Sequence, residues 1–404
     1  MRLATLLGPD LRETLQTAPE ALTDALEEFH PEDIAELVGD LPDADSVALL
    51  RALPDDKAAE VLERLPSEMS AELLEKLSVK EAADLLVEMA PDDRADVVQE
   101  LDDKVADSVI AHLEEHEPEV AVEVRELAAY PEDVAGGLMT TDYVALPPET
   151  KVWQAIEEIR RASRENEVET IYVLYVVFAD KLVGVVSLRD LILGDPSQTL
   201  ADVMTENVVS VRDTSDQEEV ARLLAKYDFT AVPVLDEHGN MLGVVTIDDV
   251  VDVIQEEATE DAHRIGAVSP IEEGYFETSV VRMFRSRIIW LMVLFVGGFL
   301  TANVMHAFED ELASMIALSL FVPLIISSGG NAGSQSASLV IRALAVGEVT
   351  TRDWWRVLGR EAVTSLALGV VLGVLGFARA WISGEAADAL GLGITIGLST
   401  LAVV

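Results

Sequence analysis

The spacing of apolar residues changes several times along this chain, and each change marks a segment. From residue 22 to about 128 the apolar positions recur at helical intervals in units about a dozen residues apart, opened by Pro31, Pro42, Pro54, Pro66 and Pro91. LPDDKAAEVLER and LPSEMSAELLEK are two such units. Proline suits a helix first turn because its missing N–H has no helical partner there, and the acids beside it complement the positive helix N-terminus. Each unit is too short to bury its apolar face alone, so the pattern predicts a stack of short helices, an all-α superhelical domain.

Residues 138–254 carry a duplication. LMTTDYVALPPETKVWQAIEEIR aligns with VMTENVVSVRDTSDQEEVARLLA, and LVGVVSLRDLIL with MLGVVTIDDVVD. The periods predict a strand, a helix, two strands and a helix in each copy, with AD and HGN as turns. Each copy resembles a CBS module, the regulatory domain of the cystathionine-β-synthase type. Ser187–Asp190 and Thr246–Asp249 follow the second strand pair as S/T-x-x-D, a helix-cap signature. The alignment is read here as setting Ile247 against Arg189, which predicts one nucleotide site rather than two.

DDVVDVIQEEATEDAHRIG, residues 248–266, predicts one helix. Asp249, Asp252, Glu256 and Glu260 share a face, and Glu257 and Asp261 form a second pair. Like charges at that spacing cost roughly 0.2–0.5 kcal/mol a pair, so something positive is expected beside them.

Beyond Arg287 the pattern is that of a membrane bundle. Ile288–Phe308 is free of Asp, Glu, Lys and Arg over 21 residues and Leu312–Ile341 over 30, both long enough to span. Ala362–Ala378 is a third span and Ala389–Val404 the start of a fourth, within which the sequence stops; the expectation is a truncated chain. Arg282, Arg285 and Arg287 precede the first span and Arg342, Arg352, Arg356 and Arg360 follow the second, whereas Glu309, Asp310 and Glu311 lie in the first-to-second loop and Glu385 and Asp388 in the third-to-fourth. Basic residues favour the inner side, which places the N-terminal part in the cytoplasm; the expected location is the plasma (inner) membrane.

The second span holds PLIISSGGNAGSQSASL, with Ser327, Ser328, Asn331, Ser334, Gln335, Ser336 and Ser338 as polar side chains. It would be about 45 Å long as a helix, so it is expected to be tilted, extended or broken, a break falling at Pro323 or Gly329–Gly330. The serines suit helix packing. Asn331 and Gln335, one turn apart, each offer a carbonyl oxygen to water or a hydrated ion.

The formal net charge of −46 makes nucleic acid a poor partner and cations the natural one. With 21 Arg against 7 Lys the acidity also fits adaptation to high salt, and both readings stand. There is no cysteine, which excludes disulfides and thiolate sites. No phosphate loop and no nucleophile–base pair is found, and HLEEH at 112–116 has Leu113 where HExxH needs Glu. An enzyme is not expected.

PLIISSGGNAGSQSASLVIRAL, ATEDAHRIGAV and DQEEVARLLAKYDFT, in this domain order, resemble the MgtE family of magnesium channels. The resemblance implies residues 1–130 as an acidic helical N-domain, 131–250 as tandem CBS domains, 251–275 as a connecting, plug-like helix and 276–404 as the pore domain. It implies a homodimeric, Mg2+-selective uptake channel or transporter closed by cytoplasmic Mg2+. It implies Mg2+ ligation by Glu60, Asp92, Asp96, Gly137 through its carbonyl, Asp216, Asp228, Asp249, Asp252, Glu257, Glu260 and Asp261. Gly329, Gly330, Asn331 and Gln335 would line the pore, and ATP would use Tyr172, Arg189, Asp190, Phe229 and Pro233. The competing readings are a non-conducting, CBS-regulated ion or nucleotide sensor and a secondary divalent-cation transporter. The three complete spans hold no carboxylate, which argues against proton coupling.

Overall fold

The computed structural model describes Leu26 and residues 29–165, 168–271, 275, 278–310, 316–382 and 389–403. Glu311, Leu312, Glu385 and Asp388, which help to place the spans and loops in the sequence, lie outside the described residues.

Among the described residues from Pro31 on, eight helices come first: α1 (Pro31–Asp40), α2 (Asp43–Leu50), α3 (Asp55–Glu63), α4 (Ser67–Leu74), α5 (Val79–Glu88), α6 (Pro91–Glu100), α7 (Asp103–His116) and α8 (Pro118–Leu127). Odd helices stack on odd ones and even on even, so the repeating unit is a helix pair of 24 residues rather than the single dozen-residue segment. Three buried donors mark that period. Ser46 Oγ donates to Val38 O at 2.9 Å, Ser70 Oγ to Leu62 O at 2.7 Å, and Arg94 Nε to Leu86 O at 2.5 Å. Each of α2, α4 and α6 thus adds a side-chain donor to a carbonyl at the end of the preceding odd helix, where the helix itself leaves carbonyls short of partners. A second device repeats at the N-termini: Ala90 N–H donates to Glu63 at 2.7 Å and Asp102 N–H to Glu75 at 2.9 Å. The apolar faces merge into one core running from Leu26 to Val124.

The duplicated region forms two like modules. The first is β1 (Ala145–Leu146), α9 (Val152–Arg164), β2 (Val173–Phe178), β3 (Lys181–Ser187) and α10 (Leu188–Leu193), followed by a short α11 (Leu200–Val203). The second is β4 (Val211–Arg212), α12 (Gln217–Tyr227), β5 (Ala231–Leu235), β6 (Met241–Thr246) and α13 (Ile247–Ile265). In each sheet the first strand is parallel to the second and the second antiparallel to the third. The predicted turns hold: Ala179 and Asp180 both take positive φ (50° and 65°), as a two-residue hairpin turn needs, and Gly239 takes φ 83°. The second module shares an apolar core with Ala95 of α6 and Leu127 of α8, so the helical stack and the modules form one compact unit through Ile254.

A separate unit begins at Gln255. It contains the end of α13, then α14 (Val280–Ala307), α15 (Ile316–Ala345), α16 (Trp354–Ile382) and α17 (Ala389–Val403). α14 and the stretch Thr351–Arg379 are long and apolar enough to cross a membrane; the latter begins before the Ala362–Ala378 read from the sequence and holds Asp353 and Glu361, so the expectation of spans without a carboxylate does not extend to it. Of the tilted, extended or broken forms expected for the second span, the described residues show no break. α15 is one helix with Pro323 inside it; proline removes a single N–H from the ladder, and glycine lowers helix propensity without forbidding it.

Candidate functional site

Carboxylates converge where α6, the segment before β2, and α13 meet. Local folding explains each position. Asp92 and Asp93 occupy the first turn of α6, and Asp248 and Asp249 the first turn of α13, where acids complement the helix N-terminus. Glu169 arrives from the chain entering β2. Thr246, buried at the end of β6, donates its hydroxyl to Glu169 Oε1 (2.9 Å) or Asp249 Oδ2 (2.6 Å). Carboxylate oxygens of Glu169, Asp248 and Asp249 come within 4.8 Å of one another.

This cluster is short of positive charge. Asp92 is buried, and its Oδ1 has no hydrogen-bond partner. Burial, then Asp249, Asp93 and Glu169, push its carboxyl well above the usual range. Burial and the acids Glu63, Asp249, Asp96 and Glu169 push Asp93 up to about 8. Burial pushes Asp249 up to about 7 against the opposing Thr246 hydrogen bond. Glu169 is raised chiefly by burial of its carboxyl, although the residue as a whole is exposed. The neighbouring base does not relieve them. Arg94 is turned away, its guanidinium holding Leu86, Val87 and Met89 carbonyls and Glu123. Asp92 with its orphaned oxygen, flanked by carboxylates from two other segments, fits a hard dication that takes oxygen ligands.

The other predicted ligands lie apart from this cluster or at its edge. Asp96 is half-buried one turn beyond Asp92, and Glu60 is exposed on α3. Gly137 is buried in a tight turn where an added Cβ would meet Pro131 O at 2.4 Å. Asp216 caps α12, accepting Glu218 N–H at 2.9 Å. Asp228 ends α12 in a left-handed conformation, φ 54°. Asp252 is exposed one turn after Asp249. Further along α13, Arg264 supplies the expected positive charge to Glu260 (2.5 Å) and Asp261 (3.7 Å), while Glu257 is half-buried on the same helix. Sequence reasoning missed Asp93, Glu169 and Asp248. Asp93 and Asp248 adjoin assigned residues, so their signal was adjacency; Glu169 had none.

The first module carries a concavity of about 640 Å3 lined by Tyr172, Ser187, Leu188, Arg189, Ile192 and Leu193. Leu188 N–H donates to Tyr172 O at 2.8 Å and joins its two walls. Asp190 adjoins it, accepting the Ser187 hydroxyl at 2.6 Å. Phe229 and Pro233 do not line this concavity. Phe229 stacks on Tyr227 and packs against the second module's core, and Pro233 is buried in β5. Strand register corrects the pairing of Ile247 with Arg189, in agreement with the aligned stretches LVGVVSLRDLIL and MLGVVTIDDVVD. Ser187 pairs with Val173 and Thr246 with Ala231, so Ile247 answers Leu188 and Asp248 answers Arg189. One structural position thus holds a base in the first module and, in the second, an acid of the carboxylate cluster.

On α15, Ser327, Asn331, Ser334, Gln335 and Ser338 fall within an arc of about 100° on the helix surface. Ser334, Gln335, Ser338 and Leu339 border a concavity of about 380 Å3. Small residues take the opposite side, where Gly329 and Ala332 are buried and Ser336 donates its hydroxyl to Glu361 of α16 at 2.6 Å. Asn331 and Gln335 therefore share a face that Gly329 does not, and Gly330 lies at its edge. In an unbroken helix the glycine carbonyls run along the axis within the backbone ladder.

A helical N-domain, a CBS-like pair and long apolar helices follow one another along the chain. The family models agree: MgtE intracellular N domain over residues 29–133, CBS domain over 133–194 and 200–256, and MgtE divalent cation transporter over 322–404. The chain belongs to the MgtE family. It is similar to the magnesium transporter MgtE of Thermus thermophilus (46% identical over 260 residues, 64% of this chain and 57% of that protein). It is also similar to that of Bacillus subtilis (39% over 253 residues, 62% and 55%). Among solved structures it resembles the cytosolic domain of the Mg2+ channel MgtE in complex with ATP, with TM-score 0.57, 44% identity, and 60% of this chain and 98% of that one covered. The chain thus spans little more than half the length of these two curated relatives.

Proposed function

We propose that this chain carries Mg2+ across the plasma membrane as a homodimeric channel or transporter, its regulatory domains lying in the cytoplasm. The observation that carries the reading is the polar stripe on α15. Side-chain oxygens and amides on one face of a membrane helix match a cation that keeps most of its water, and small residues on the other face allow close helix packing. The basic residues Arg282, Arg285, Arg287, Arg342, Arg352, Arg356 and Arg360 support the orientation.

Regulation by cytoplasmic Mg2+ is part of the same proposal. A bound dication would supply positive charge where Asp92, Asp93, Glu169, Asp248 and Asp249 crowd together. Asp92 and Asp93 would hold α6 against the first turn of α13, while Asp252, Glu257, Glu260 and Asp261 extend the acidic surface along that helix. Glu60, Asp96, Gly137, Asp216 and Asp228 belong to the proposed sensing set at separate positions. ATP is proposed to bind the first module's concavity, with Arg189 on phosphate, Tyr172 on the base and Asp190 on the ribose. The similarity to an ATP-bound relative supports this assignment.

The test is Mg2+ flux into proteoliposomes. Asn331→Ala and Gln335→Ala lower flux more than Ser336→Ala, and changing Asp252, Glu257 and Glu260 together to amides leaves flux high when cytoplasmic Mg2+ is raised. A wild-type protein that is folded and reconstituted but passes no Mg2+ would replace this reading with that of a non-conducting sensor.

A further inference from the structure

The segment from Arg342 at the end of α15 to Arg360 in α16 reverses the charge of the chain. It holds four arginines, Arg342, Arg352, Arg356 and Arg360, against two acids, Glu348 and Asp353, in a protein with 28 bases and 74 acids. In the helical stack and the modules, bases commonly meet acids, as Arg51 meets Glu81 and Arg222 meets Glu218. At the start of α16 they do not. Arg352 and Arg360 are exposed and form no ion pair or side-chain hydrogen bond among the described residues. Arg356, its side chain 88% exposed, reaches only Asp353 at 3.3 Å, and Asp353 also accepts the N–H and hydroxyl of Thr350. Arg352, Arg356 and Arg360 are spaced four apart, so they run along one side of the helix start. Glu361, about 140° round the helix from Arg356, is the residue that meets Ser336 of α15. The arginine row therefore faces away from α15. On one flank of the row lies Gly359, where an added Cβ would meet nothing within 4 Å. Beyond it is Trp355, exposed and stacked on Trp354 with 4.1 Å between ring centroids.

Arginine matches phosphate because its planar guanidinium donates two parallel hydrogen bonds to two oxygens. Tryptophan settles at the boundary of hydrocarbon and water, its ring apolar and its N–H polar. A row of bases, a glycine gap and an indole, at the start of a stretch apolar enough to cross a membrane, answer both chemistries of a phospholipid. We infer that Arg352, Arg356, Arg360, Gly359 and Trp355 form a surface site for the headgroup of an acidic phospholipid in the inner leaflet. The phosphate lies on the guanidinium row, and the glycerol and upper acyl chain cross Gly359 against Trp355. A chain of charge −46 is repelled by an anionic leaflet, and this row offsets the repulsion where the chain meets the lipid. The inference rests on the membrane reading of α14 to α16 and goes beyond orientation. Bases set sidedness in any bilayer, whereas this site selects a lipid by its charge.

The test is native mass spectrometry of the full chain in detergent with equal amounts of phosphatidylglycerol and phosphatidylcholine added, alongside flotation with phosphatidylcholine liposomes. Wild type is expected to float and to retain phosphatidylglycerol in preference to phosphatidylcholine. Each of Arg352→Gln, Arg356→Gln and Arg360→Gln should weaken phosphatidylglycerol binding about fivefold, which corresponds to about 1 kcal/mol per base near an anionic surface. Trp355→Ala and Gly359→Leu, which remove the indole and fill the gap, lower it as well. Arg51→Gln, in the helical stack, leaves it unchanged. Circular dichroism establishes that each variant keeps its helix content. Equal retention of the two lipids by a wild-type chain that floats, or unchanged phosphatidylglycerol binding when all three arginines are replaced, overturns the site and leaves the membrane reading standing. A folded chain that does not float overturns both. Displacement of the lipid by inorganic phosphate at matched ionic strength would make this a general anion site and overturn the lipid assignment.

Discussion

Asp93 and Asp249 are the residues from which a pH dependence follows. Their carboxyls stand at about 8 and about 7 in the folded chain, against about 3.9 in an unfolded one. Between those values the folded state binds more protons, so stability falls as pH rises through that window. In chelator, the unfolding temperature of the soluble unit should drop from about pH 5 to about pH 8. Added Mg2+ should restore it, more at the alkaline end because binding requires the deprotonated acids. Asp249→Asn should flatten the pH dependence and shrink the Mg2+ effect together. An unchanged Mg2+ effect in that variant would remove Asp249 from the site. Gly137 makes a second residue-level case. Its missing Cβ leaves room for Pro131 O, and Gly137→Ala should cost roughly 1–3 kcal/mol by overpacking, read from denaturant unfolding.

The helices add constraints that single residues do not. α15 turns its polar stripe one way and its small residues the other, and the Ser336–Glu361 bond ties the second face to α16. A double-mutant cycle on Ser336→Ala and Glu361→Gln should give a coupling of about 0.6 kcal/mol, the average for such membrane pairs. Additive effects would mean the contact does not stabilise the fold. The absence of cysteine makes the stripe directly testable: Ser334→Cys should react with a membrane-impermeant thiol reagent and Ser336→Cys should not. In the N-domain the 24-residue period predicts unequal costs. Ser46→Ala and Ser70→Ala each remove one donor from a carbonyl that keeps a backbone N–H, from Leu41 on Val38 and from Leu65 on Leu62, whereas Arg94→Ala removes the guanidinium shared by three carbonyls and Glu123. Arg94→Ala should therefore be the most destabilising of the three.

For the molecule as a whole, the question is whether a charge of −46 is a sensor or only a salt-adapted surface. Protease protection of the unit that ends at Ile254 separates the two. Protection by low-millimolar Mg2+ that NaCl of equal ionic strength does not reproduce means discrete divalent sites. Protection that tracks ionic strength means screening, and the gate lies elsewhere. The burial of Asp92 at a junction of three segments favours the first outcome, because screening alone acts poorly on a buried charge.

Features that depend on neighbours three or four residues apart are legible in the sequence itself. The helical units, the module duplication, the cap-like Ser187–Asp190 and Thr246–Asp249 pairs and the apolar spans all arise from i, i+3 and i+4 relations or from period two, which covalent proximity enforces. The family resemblance rests on such stretches. Convergence over long separations needed the tertiary fold. Glu169 and Thr246 are 77 residues apart, and their meeting with Asp92 depends on how the second module packs on the helical stack. The buried donor repeats as Ser46, Ser70 and Arg94, three residues of unlike size whose equivalence lies in the carbonyl they reach, not in their type. The aligned stretches LVGVVSLRDLIL and MLGVVTIDDVVD set Asp248, not Ile247, against Arg189, and strand register agrees. Pro323 and Gly329–Gly330 carry a local preference for a break, yet α15 runs through them as one helix. Local chemistry sets what each segment can form; which charges then share one site is set by packing between segments far apart in the chain.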